Sequence, residues 1–196
     1  MLYPLSYRRP TSVYAAWAEG ACPPGLRIIE AMSIHGPSPE ARAAFRQAME
    51  LHAAGEIDAA VEAAGALLVR WPEFGEALSY LGQTLVTRKR RFADGLAILA
   101  RAVEASPADP YVLYSAGWCT EFVAEELRRP KRPHQRVEGD AALHYAAAKA
   151  FLLRALALDP DEKLRGDVED MLSVISNATG EPWDEGLIER AAPRPR

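Results

Sequence analysis

The feature that most constrains this chain is a recurrence of small residues and prolines at intervals of 34 or 35. Ala48 and Gly82 stand 34 residues apart, Gly82 and Gly117 35, and Pro72 and Pro107 35. A period of this length marks one supersecondary unit that cannot bury its own apolar face and must stack on its neighbour. Within each period the apolar residues follow helical spacing. Ser38, Pro39 and Glu40 supply an N-cap, a first-turn proline and an acid at the positive end of the helix dipole. Ala41, Ala44, Phe45, Ala48, Met49 and Leu51 then share a face up to Gly55, and Ile57, Ala60, Val61, Ala64, Leu67 and Leu68 resume the period to Trp71 and Pro72. Leu78, Leu81, Gly82 and Leu85, followed by Phe92, Leu96, Leu99, Ala102 and Val103, repeat this hairpin, and Asp109-Pro110 opens a third. The expected fold class is all-α. With 196 residues, 49% of them hydrophobic, and a formal charge of -4, the chain is large enough to bury a core without metal or disulfide staples.

These positions resemble the tetratricopeptide repeat family, whose pattern runs W-x2-L-G-x2-Y, A-x3-F, P over about 34 residues. The second unit carries it as Leu78, Leu81, Gly82, Leu85, Gly95, Leu99 and Pro107. The first carries it as Ala44, Gln47, Ala48, Leu51, Ala60, Ala64 and Pro72; the third as Leu113, Ala116, Gly117 and Thr120, then Ala148, Leu152, Ala155 and Pro160. The match is divergent: Leu, Ala or Thr replace the signature aromatics, and the second unit has one extra residue between its helices. The resemblance implies a right-handed solenoid of antiparallel helix hairpins over residues 38–160. Pro107 and Pro160 are 53 residues apart, so the third hairpin is expected to carry an insertion of about 19 residues over 124–142, mapping to a loop. Leu164, Val168, Met171, Leu172 and Ile175 predict a capping helix that closes at Gly180, which extends the repeat domain over 38–180. Residues 1–37 read as a loosely ordered leader with two short helices, around 12–18 and 26–32, and Met32 as a second candidate start. Residues 181–196 read as a tail whose Trp183 packs back on the cap.

No HExxH, GxSxG, GxGxxG or Walker loop occurs, and the four histidines are scattered, so the expectation is a protein that is not an enzyme and uses no cofactor or metal. Cys22 and Cys119 lie in unlike contexts, Cys119 reading as a small buried hydrophobe, which fits a cytoplasmic protein. Asp159 and Asp161 read as helix-start residues, and Glu121, Glu125 and Glu126 as a solvated helix face. The longest apolar tract is broken by Lys149 and Arg154, so no membrane partner is expected.

The resemblance further implies that the first helix of each hairpin lines a concave surface for a protein or peptide. Its stripes would be Arg42, Phe45 and Met49; Glu76, Ser79 and Gln83; and Tyr111, Tyr114 and Trp118, with Trp118 as anchor. The Lys and Asn clamp by which some members hold a C-terminal carboxylate is missing. A competing reading rests on nine of the 23 Lys and Arg: Arg88, Lys89, Arg90 and Arg91 in the second hairpin's turn, and Arg128, Arg129, Lys131, Arg132 and Arg136 in the insertion. Corresponding turns of stacked hairpins share an edge. The two runs would form either a basic edge that binds nucleic acid or an acidic protein tail, or solvated loops paired with Glu125, Glu126 and Asp94. A homodimer is compatible with either reading.

Overall fold

A computed structural model describes residues 37–192, so the leader, apart from Pro37, and the two short helices expected within it lie outside the described residues. The described chain is all-helical: α1 Pro39–Ala53, α2 Ile57–Arg70, α3 Gly75–Thr87, α4 Phe92–Ala105, α5 Pro110–Arg128, α6 Ala141–Ala157, α7 Glu162–Thr179 and α8 Glu185–Ala191. None of these helices is long and apolar enough to cross a membrane.

Local chemistry sets most of the starts. Ser38 Oγ accepts from the Ala41 amide at 3.1 Å, and Asp109 Oδ1 from those of Tyr111 and Val112 at 2.9 and 3.3 Å. Asp140, Asp161 and Asp184 likewise cap α6, α7 and α8. Helices α2, α3 and α4 begin without a side-chain cap and carry Asp58, Glu76 and Asp94 in their first turns, where the helix dipole favours a negative charge. Gly55 turns α1 into α2 at φ 82°, and Gly180 ends α7 at φ 76°, both in the left-handed region where a side chain is strained.

The most extensive packing joins α1 to α2, α3 to α4 and α5 to α6; α5 also meets α3 and α4, and α6 meets α7 and α8. Small residues make the pairing close. A Cβ on Gly82 would lie 2.6 Å from Leu99 Cγ and 3.0 Å from the Gly95 carbonyl oxygen, and one on Gly95 would lie 2.8 Å from the Gly82 oxygen. The third pair repeats this arrangement: a Cβ on Gly117 would meet Leu152 Cγ at 2.7 Å. In the first pair Ala48, Ala60 and Ala64 are fully buried.

The C-terminal half differs in part from the expectation. The segment 124–142 is only partly a loop: α5 runs on to Arg128 with Val123, Ala124 and Glu126 buried, and the connection proper is 129–140. The extra length went into helix because those added residues have a core to face. The expected cap, α7, buries Leu164, Val168, Leu172 and Ile175, and the tail forms a further helix, α8, that lies chiefly against α6, with Trp183 half-buried on the core. Helix α6 is therefore covered on three sides, by α5, α7 and α8, and buries even His144, whose pKa is lowered mainly by that burial.

Glycine replacement separates close contact from mere helix propensity. Gly82→Ala is expected to lower stability by about 1 to 3 kcal/mol through overpacking. Gly65→Ala, mid-helix in α2 where a Cβ meets nothing within 4 Å, should raise it by about 0.5 to 1 kcal/mol. Denaturant midpoints of the two variants measure both signs.

Candidate functional site

The first helices of the three pairs share an open groove of about 330 Å³ lined by Phe45 and Met49 of α1, Glu76, Ser79, Tyr80 and Gln83 of α3, and Tyr111, Val112 and Ser115 of α5 with its cap Asp109. Aromatic edges join α1 to α3: Phe45 lies 5.4 Å from the Phe74 ring and 5.9 Å from Tyr80. The Tyr80 hydroxyl and His52 Nδ1 are hydrogen-bonded at 2.9 Å. Across the other wall Gln83 Nε2 donates to Ser115 Oγ at 2.7 Å and to Ser79 Oγ at 3.3 Å, a bridge from α3 to α5 along the groove floor. Tyr111 closes the far end, more than half exposed, its hydroxyl donating to Asp161 Oδ2 at 2.5 Å. That bond raises the tyrosine pKa and lowers the aspartate's. Glu76 and Asp109 bring two carboxylates to the lining, and no Lys or Arg lines it among the described residues.

Six of the nine residues expected on this face line the groove. Arg42 does not: its Nε donates to the Pro37 carbonyl at 3.2 Å. Tyr114 and Trp118 do not line it either, but pack half-buried on the core. Burial, then the charges of Asp167 and Asp170, raises the pKa of Tyr114. The expected stripe at i, i+3, i+7 from Tyr111 thus runs around α5 away from α3, whereas the i+4 neighbour Ser115 faces α3. Trp118 as groove anchor is corrected accordingly. Tyr80 was missed, although its spacing from Glu76 (i+4) and Gln83 (i+3) put it on the same helical face.

The basic edge divides in two. Lys89 pairs with Asp58, Arg91 with Asp94 at 2.7 Å and Arg128 with Glu125 at 2.7 Å. Arg90 is drawn inside. One guanidinium nitrogen donates to Glu126 Oε2 at 2.6 Å and to the Arg132 carbonyl at 3.1 Å, and Nε donates to the Pro133 carbonyl at 3.1 Å. The Arg90 carbonyl accepts from the Gln135 amide at 3.0 Å, Gln135 Oε1 accepts from the Asp94 amide, and His134 stacks on Phe92 with ring centroids 4.6 Å apart. The pairing with Glu125, Glu126 and Asp94 is what one of the two sequence readings anticipated. Glu126 itself corrects the expectation of a solvated face: it is buried, and the hydrogen bond from Arg90 holds its carboxyl below the usual range. Arg88, Arg129, Lys131, Arg132 and Arg136 stay exposed with no ion partner among the described residues.

Cys119 is buried and outside any disulfide, and burial pushes its thiol pKa far up, which disfavours the thiolate. No group of three or more His, Cys, Asp or Glu among the described residues is placed to hold a metal ion. Comparison with family models, with curated proteins and with solved structures finds no match to this chain.

Breaking the Arg90 to Glu126 pair should cost more than breaking an exposed one. Arg90→Ala leaves a buried carboxylate unpaired and is expected to destabilise by about 3 kcal/mol, against under about 1 kcal/mol for Arg70→Ala, whose pair with Glu40 is mostly exposed. Because the folded pKa of Glu126 is depressed, its contribution is complete above the unfolded value of about 4.3 and is lost as pH falls through the lower folded value. The gap in melting temperature between wild type and Arg90→Ala should therefore narrow in that acid range and be widest at neutral pH.

Proposed function

We propose that this chain is a non-catalytic protein- or peptide-binding module, built as a right-handed tetratricopeptide-like solenoid of three hairpins capped by α7. The pairing of α1 with α2, α3 with α4 and α5 with α6, and the recurrence of small residues at the crossings, support that architecture. One observation carries the function: the first helices of all three pairs contribute to a single open groove with exposed aromatic and thioether surface. Aromatic faces on rigid helices offer large contact area at little loss of rotamer freedom.

The lining selects the occupant. Phe45, Met49 and Tyr111 suit an apolar side chain, while Glu76 and Asp109, with no cation beside them in the lining, suit a Lys or Arg next to it. The ligand is an extended peptide with an apolar anchor flanked by a cation, which inverts the charge preference of a carboxylate clamp. Cytoplasmic residence belongs to the same proposal, supported by the buried thiol of Cys119 outside any disulfide.

A photo-cross-linking amino acid at position 49, in the groove, and another at 69, where Val69 is 86% exposed on α2, test the reading. Adducts are expected at 49 and not at 69, and Tyr111→Ala should reduce them by about tenfold or more while helical circular dichroism persists. Equal adducts at both positions, or adducts indifferent to Tyr111→Ala, refute the groove.

A further inference from the structure

The connection 129–140 is held unusually well for a loop that carries so much like charge. Its carbonyls at Arg132 and Pro133 accept from the Arg90 guanidinium, its Gln135 amide donates back to Arg90, its Lys131 amide donates to Glu126 Oε2 at 3.4 Å, and His134 is stacked on Phe92. Pro130 and Pro133 fix two further backbone torsions. Arg90 adopts the left-handed φ of 53° here, a conformation that costs a non-glycine residue about 1 kcal/mol or more and persists where surrounding contacts over-determine it. These contacts hold the connection through its backbone, the Gln135 side chain and the His134 ring, and leave Arg129, Lys131, Arg132 and Arg136 exposed.

What remains outward is Arg129, Lys131, Arg132 and Arg136, with Arg88 on the adjoining turn. Like charges are concentrated on a backbone that cannot spread to relieve them, so the surface is preorganised for an anion. We propose that this clasped connection is a second binding surface, independent of the groove, that docks an acidic protein segment with closely spaced negative charges.

Charge distribution favours a short acidic segment over a nucleic acid. Setting these five cations aside leaves 18 Lys and Arg against 27 Asp and Glu, a formal charge of -9 on the rest of the chain. That net negative charge disfavours a long polyanion such as a duplex more than a segment of a few residues. Glu138 and Asp140, exposed at the end of the connection, bound the patch on that side.

The probe is a fluorescein-labelled octaglutamate peptide, titrated with the full chain and read by fluorescence anisotropy. Binding is expected at low salt and should weaken steeply as ionic strength rises and the Debye length shortens. Lys131→Glu with Arg132→Glu should weaken it by about tenfold or more. The milder pair Lys131→Gln with Arg132→Gln, which introduces no new charge, should weaken it by roughly threefold, and Tyr111→Ala should leave it unchanged. A charge-matched control, Arg46→Glu with Lys163→Glu on exposed faces of α1 and α7, should stay within about twofold of wild type. The proposal is overturned if the control weakens binding as much as the Lys131 and Arg132 pair does, if neither pair weakens it, or if a duplex RNA of about 20 base pairs or an anionic phosphatidylserine vesicle binds more tightly than the peptide.

Discussion

The crossing of Gly82 with Gly95 is the contact on which the rest of the arrangement depends. The Cβ position of each lies within about 3 Å of the other's carbonyl oxygen, so α3 and α4 meet backbone to backbone. Facing Gly82 toward α4 turns its neighbour Gln83 about 100° around the helix, where it reaches Ser79 and Ser115 and sets α3 against α5. The groove floor is thus tied geometrically to a contact on an adjoining face of the same helix. The Gly117 contact with Leu152 and the Ala148 carbonyl oxygen places α5 against α6 in the same manner.

The second organising interaction runs between helix pairs. Arg90 at the α3–α4 turn reaches Glu126 near the end of α5 and the carbonyls beyond it, so one side chain joins two helix pairs and holds the connection between α5 and α6. Burial makes it matter: an exposed pair such as Arg70 with Glu40 loses most of its attraction to solvent, whereas a carboxylate as buried as that of Glu126 requires its partner. The price of a basic run here is accordingly met by internal use of Lys89, Arg90, Arg91 and Arg128, and the unpaired cations lie apart from the groove's carboxylates.

The helical class and the helix starts were legible because they rest on local signals: apolar residues at helical spacing, small residues at 48, 82 and 117, and caps at Ser38, Asp109 and Asp161 that act within one turn of themselves. The individual faces of α5 were less legible. That helix lies between α3, α4, α6 and α7, so several of its sides are apolar or aromatic, and the sequence does not say which side meets which neighbour. Tyr111 and Trp118 look alike as exposed aromatics on one stripe, yet one bonds Asp161 at the groove's end and the other packs on the core. The burial of Glu126, as opposed to its pairing with the basic runs, was hidden because its partner Arg90 is 36 residues away and no local pattern marks the site as enclosed.

If the small-residue crossings set the helices that line the groove, the region around them must open as one unit. Native-state amide hydrogen exchange on the full chain tests this directly, because it reports the opening free energy of each helix separately. Amides of α3, α4, α5 and α6 flanking Gly82, Gly95, Gly117 and Ala148 are predicted to exchange last and with a common protection, while α1 and the short α8 exchange earlier. Slowest exchange in α1 and α2, or an α3–α4 pair that opens independently of α5 and α6, would contradict the account.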